Sequence, residues 1–89
     1  MDKAVDVTIT GMVQGVSFRA RTREQARGLG VAGWVRNEPD GSVAGHFEGP
    51  VHAVDALVAW CREGPGYAEV DDVTVTELEP TGAADFEIR

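Results

Sequence analysis

Two hydrophobic periods alternate along this chain, and their order restricts the fold more than any other feature. Val5, Val7 and Ile9 alternate with Asp6, Thr8 and Thr10, the period-2 pattern of a strand with one buried face. Phe18, Thr22, Gln25/Ala26 and Leu29 then follow at helical spacing, with Ser17 placed as N-cap and Gly30 as the C-terminal stop. Val31 to Asn37 and Ser42 to Glu48 are two strand-like runs joined by the turn Glu38-Pro39-Asp40-Gly41. From Pro50, helical spacing returns in Val51, Val54, Leu57, Val58 and Cys61, and Gly64-Pro65-Gly66 ends it. Val70, Val73 and Val75 mark a further strand, with Phe86 and Ile88 a short terminal one beyond the turn region from Pro80 to Ala84.

Strand, helix, strand, strand, helix, strand is the order of an α+β, ferredoxin-like sandwich, βαββαβ, with two helices on one face of an antiparallel sheet. At 89 residues and 43% hydrophobic content, one core is affordable and two are not, so residues 1–89 read as a single domain. The one cysteine, Cys61, cannot close an internal disulfide, and no Cys/His cluster offers a structural metal site. The expected fold stands on packing alone. The charged opening Met1-Asp2-Lys3-Ala4-Val5-Asp6 lacks the apolar run of a signal peptide, and no stretch reaches membrane-spanning length. The expectation is a cytoplasmic protein with no membrane partner.

The formal net charge of -7 argues against general nucleic-acid binding. The charge is unevenly spread. Residues 1–37 carry six basic side chains and three acidic ones, whereas residues 38–89 carry two and twelve. Positive charge is thus concentrated where a small anion can be received. Arg21, Arg23 and Arg27 read as the wet face of the first helix, which leaves Arg19 as the arginine beside the preceding loop.

That loop, Gly11-Met12-Val13-Gln14-Gly15-Val16-Ser17-Phe18-Arg19, runs from a strand into a helix. Backbone N–H groups in the first helical turn have no intrahelical acceptors, so a loop curling there can aim several donors at one phosphate. Gly11 and Gly15 permit the tight conformations this requires, and Arg19 can add a bidentate, permanently charged clamp. On glycine spacing alone the segment also fits an ordinary connection. It is not a Walker loop, because the Gly-Lys-Ser/Thr ending is missing, and it does not match the dinucleotide-binding glycine pattern.

The segment resembles the signature of the acylphosphatase family, Gly-x-Val-Gln-Gly-Val-x-Phe-Arg, at every specified position. A second family motif is matched by Gly33-Trp34-Val35-Arg36-Asn37, Gly41-Ser42-Val43 and Gly49. Gly64-Pro65, Ala68, Val70, Val73, Phe86 and Ile88 extend the likeness over essentially the whole chain. Met12 is the main departure, standing where many relatives have a basic or polar residue. The resemblance implies metal-independent hydrolysis of the carboxyl-phosphate bond of acyl phosphates with no cofactor, and a chain this small with a self-contained fold is expected to be a monomer. It implies that Arg19 binds the phosphoryl group, that Asn37 positions the attacking water, and that amides of Gly15, Val16, Ser17, Phe18 and Arg19 complete a phosphate cradle.

The other chemistry-bearing residues read as structural. His46 and His52 lack metal-ligand spacing and are expected at the surface. Cys61 lies on the apolar stripe of the second helix, and Trp34, Trp60 and Phe47 fit packing better than stacking platforms. Arg36 is expected to point to the opposite face from Asn37. Glu69-Val70-Asp71-Asp72 and Glu77-Leu78-Glu79 read as a solvated face. Two other classes are compatible with the fold: a phosphate-sensing domain without turnover, like the related domains of larger hydrogenase-maturation proteins, and an RNA-binding module. The missing aromatic RNP pattern and the negative charge disfavour the latter.

Overall fold

A computed structural model describes residues 1–89. The elements are β1 (Asp2–Met12), α1 (Phe18–Leu29), β2 (Ala32–Asn37), β3 (Val43–Pro50), α2 (Val51–Glu63), β4 (Glu69–Leu78) and β5 (Phe86–Ile88). The strands form one five-stranded sheet in the order β4-β1-β3-β2-β5. β1 pairs antiparallel with β3 and β4, and β2 antiparallel with β3. The short β5 adds to β2 in parallel, so the expected antiparallel sheet is a mixed one at this edge. A three-residue strand has no periodicity long enough to announce its direction, which the chain sets by passing under the sheet first.

Alternation along the strands decides which face is covered. Val5, Val7 and Ile9 of β1, Val43 and Phe47 of β3 and Val35 of β2 are buried together with Phe18 and Ala26 of α1 and Val54, Leu57 and Cys61 of α2. Each large side chain so buried contributes roughly 1.5–3 kcal/mol. Cys61 is fully buried within this cluster, where burial pushes its thiol up to about 12.

Strand direction places three chain ends together. Because β1 and β2 are each antiparallel to β3, they run parallel to one another, and β5 runs with β2. The carboxyl ends of β1, β2 and β5 therefore lie along the same edge of the sheet. At that edge β1 is interrupted by a register shift between Thr10 and Gly11. A Cβ at Gly11 would stand 2.1 Å from the Glu69 carbonyl oxygen, so β4 passes too close here for any side chain.

Two local expectations are corrected. Ser17 occupies the N-cap position of α1, but at φ 63° and ψ 23° and with no side-chain capping bond. The loop needs a left-handed residue there, at a cost of about 1–2 kcal/mol for a non-glycine. His46, expected at the surface, is buried. It lies on the sheet face away from the helices, 2.7 Å from Asp6 Oδ1 and 2.5 Å from Glu48 Oε2, and stacks on Trp34. The polar face was legible in the alternation, but the segment that covers it, residues 81–83, was not: the amides of Thr81, Gly82 and Ala83 donate to the Glu48 carboxylate.

Candidate active site

The sheet edge where β1, β2 and β5 end opens into a cavity of about 340 Å³ lined by Val13, Gly15, Ser17, Phe18, Arg19, Ala20, Asn37 and Ile88. Residues from the β1–α1 loop thus meet the last residue of β2, a juxtaposition fixed by β3 lying between β1 and β2. Of the expected residues, Gly15, Ser17, Phe18, Arg19 and Asn37 line this cavity. Val16 does not. Its side chain packs against the core and anchors the middle of the loop.

The loop conformation is built from two left-handed residues, Gly15 at φ 76° and Ser17 at φ 63°. The first backbone bond of α1 runs from the Arg21 amide to the Ser17 carbonyl, 3.0 Å. The preceding amides of Phe18, Arg19 and Ala20 therefore have no intrahelical acceptor. Those of Gly15, Val16 and Ser17 donate to no backbone carbonyl either. A run of unpaired N–H groups at a helix N-terminus is an anion receptor by construction.

The electrostatics agree. Arg19 is the one charged side chain lining the cavity, and no carboxylate reaches it. The ion pairs made by arginines are Arg27–Asp85, Arg36–Glu38 and Arg89–Glu87, which leaves Arg19 free of any internal counterion. Arg21 and Arg27 are exposed, in keeping with the wet helix face, and Arg23 is half-buried. Arg36 is exposed and bonded to Glu38, on the opposite face from the cavity.

Asn37 brings an unsatisfied acceptor. Its Oδ1 is buried without a hydrogen-bond partner, a state that costs about 1–3 kcal/mol and calls for a water or ligand hydrogen at the amide. No group of three or more His, Cys, Asp or Glu side chains is placed to hold a metal ion, and no helix is long and apolar enough to cross a membrane.

Val13, Ala20 and Ile88 also line the cavity and escaped the sequence reading. Ile88 arrives through the parallel pairing of Val35 with Ile88. Ala20 follows Arg19 in the first turn of α1. Gln14 was also passed over, although it stands inside the motif: its Nε2 donates to the carbonyls of Glu38 and Ser42.

Comparison with known proteins points the same way. The family model for acylphosphatase matches residues 5–88. An acylphosphatase of Nocardioides sp. is 55% identical over 89 residues, covering 100% of this chain and 90% of the relative. That of Rubrobacter xylanophilus is 57% identical over 98% of this chain and 80% of the relative. The crystal structure of acylphosphatase from Bacillus subtilis superposes with a TM-score of 0.95 at 34% identity, covering 100% of this chain and 99% of that one. With full-length similarity in both sequence and fold, this chain belongs to the acylphosphatase family.

Proposed function

We propose that this chain hydrolyses the carboxyl-phosphate bond of small acyl phosphates, with Arg19 and the amides of Gly15 to Arg19 holding the phosphoryl group and Asn37 holding the attacking water. The observation that carries this reading is the convergence, in one cavity, of a counterion-free arginine, a run of unpaired amides and a buried amide oxygen with no partner.

The chemistry demands little more. Water oxygen bonds to phosphorus while the phosphorus bond to the bridging oxygen breaks, giving a carboxylate and inorganic phosphate; the water's proton passes to solvent or to a phosphate oxygen. A carboxylate leaves without needing a proton from the enzyme, so no strong general acid is required. The loose phosphoryl transition state spreads charge over its equatorial oxygens, where fixed N–H dipoles and one guanidinium act without reorganising. Asn37 contributes alignment, since a water held by its amide has lost the freedom a solution reaction must give up. That division of labour fits a cavity without histidine, cysteine or carboxylate. The reaction is metal-independent in this scheme, and the enzyme acts as a cytoplasmic monomer.

The test is hydrolysis of benzoyl phosphate by the purified chain in the presence of a chelator, following both products. Stoichiometric benzoate and inorganic phosphate, undiminished by the chelator, is the expected result. Absence of turnover from the folded protein, with phosphate still binding, overturns it in favour of a sensing domain.

A further inference from the structure

Gln14 is the loop residue whose side-chain hydrogen bonds reach the β2–β3 turn, and those bonds connect the two halves of the cavity. Its Nε2 donates to the carbonyl oxygen of Glu38 at 2.8 Å and to that of Ser42 at 2.9 Å. Gln14 directly precedes Gly15, where the cradle begins, and Glu38 directly follows Asn37. The bond therefore joins the neighbours of the two functional groups.

Its anchor is rigid. Within the β2–β3 turn, the Glu38 amide donates to the Ser42 carbonyl at 2.9 Å and the Gly41 amide to the Glu38 carbonyl at 3.1 Å. The Ser42 amide and hydroxyl both donate to Asp40 Oδ1, at 2.9 and 2.6 Å, and these bonds hold the Asp40 carboxyl below its usual range. Arg36 Nε donates to Glu38 Oε1 at 2.9 Å. Both carbonyls that receive Gln14 are thus already bonded within the turn, and each offers its second lone pair to the side chain.

We infer that Gln14 is a positioning residue that fixes the distance between the phosphate cradle and the water-holding amide of Asn37. It does not line the cavity. Backbone pairing of β1 with β3 and of β3 with β2 sets the two chain ends within reach, but the cradle lies past Ile9, the last β1 residue paired with β3, while Asn37 is the terminal paired residue of β2. A side-chain tie across this gap supplies what the sheet does not. In-line attack tolerates little displacement, and misplacement of about 1 Å can cost about a hundredfold in rate. The inference rests on the catalytic reading above and assigns a role that phosphate binding alone does not require.

The experiment compares the wild type with Gln14→Met, which keeps the length and removes the donors, and with Gln14→Glu, which turns acceptors toward two carbonyls. For each, kcat and KM for benzoyl phosphate are measured beside the dissociation constant of inorganic phosphate, obtained by direct titration. The expected result is a fall in kcat of about ten- to a hundredfold in both variants, with phosphate affinity within about twofold of wild type, because the cradle amides and Arg19 remain. Unchanged kcat in folded Gln14→Met overturns the inference while leaving the catalytic reading intact. A parallel loss of kcat and phosphate affinity also overturns it, since Gln14 then shapes the cradle itself. An inactive wild type overturns both, for no alignment then exists to be held.

Discussion

His46 Nε2 and Glu48 Oε2 lie 2.5 Å apart beneath the sheet, and the carboxylate so engaged ties the last segment of the chain to its centre. Glu48 is 5% exposed and also accepts the amides of Thr81, Gly82 and Ala83 and the Thr81 hydroxyl. The segment so held leads directly into β5, which delivers Ile88 to the cavity.

Stability should follow pH through this pair. Burial works against the charge on Glu48, but hydrogen bonds from His46, Thr81 and Gly82 outweigh it and hold the carboxyl at about 2, below the ordinary 4.5. Burial likewise opposes the His46 imidazolium, and the hydrogen bonds and charges of Glu48 and Asp6 raise it above 6.5. A lowered carboxyl contributes stability that is present above its unfolded value and lost as pH falls toward its folded one. A raised histidine contributes stability that is complete below its unfolded value and lost as pH rises through its folded one. Urea unfolding midpoints should therefore peak between 4.5 and 6.5 and decline on both sides. Glu48→Gln should lower stability by about 2 kcal/mol and flatten the acid limb. A midpoint that rises from pH 6.5 into the alkaline range contradicts the pairing.

Arg19 has no internal counterion, so its removal should cost binding rather than folding. Inorganic phosphate should raise the Tm of the wild type, because a ligand at one hundred times its Kd stabilises by about 2.7 kcal/mol. Arg19→Ala should retain its Tm in buffer, lose most of the phosphate-dependent increase, and fall in kcat/KM by at least about a hundredfold. An equal phosphate shift in the variant would remove Arg19 from the site.

Gly15→Ala isolates backbone strain. A Cβ there meets nothing within 4 Å, yet φ is 76°, so the cost is conformational, about 1 kcal/mol. Thermal unfolding should show a Tm lower by about 4–8 °C, with weakened phosphate binding as the loop relaxes. Unaltered phosphate binding in that variant would mean that the amide at this position is not part of the cradle.

Cys61 is fully buried, with its thiol pushed up to about 12 by burial, so it lacks the thiolate needed to react. A chromogenic disulfide reagent should leave it unmodified in native buffer and label it fully in denaturant. Rapid native labelling would contradict its packing against α1 and the sheet.

The sequence was most legible where periodicity is long. Val5, Val7 and Ile9, and the spacing from Val51 to Cys61, settle β1 and α2 because burial on one face leaves no alternative register. The glycine loop stood out because Gly15 and Arg19 lie at a strand-to-helix junction, whereas Asn37 was singled out only by the resemblance to the family's second motif. What stayed hidden depended on long-range placement. Ile88 enters the cavity only through a parallel pairing that three residues cannot announce. His46 is buried by residues 81–83, far away in sequence, and Ser17 takes a left-handed conformation that its preference for N-caps does not suggest. Gln14 was matched as a motif position but given no role, because its partners, the carbonyls of Glu38 and Ser42, carry no side-chain signal at all.

The most direct measurement is steady-state hydrolysis of benzoyl phosphate by Asn37→Ala, with inorganic phosphate as competitor and the fold checked by circular dichroism. If the orphaned amide holds the attacking water, kcat falls by about a hundred- to a thousandfold while the phosphate inhibition constant stays within about twofold of wild type. A folded variant that keeps wild-type kcat would show that Asn37 does not take part in the chemistry.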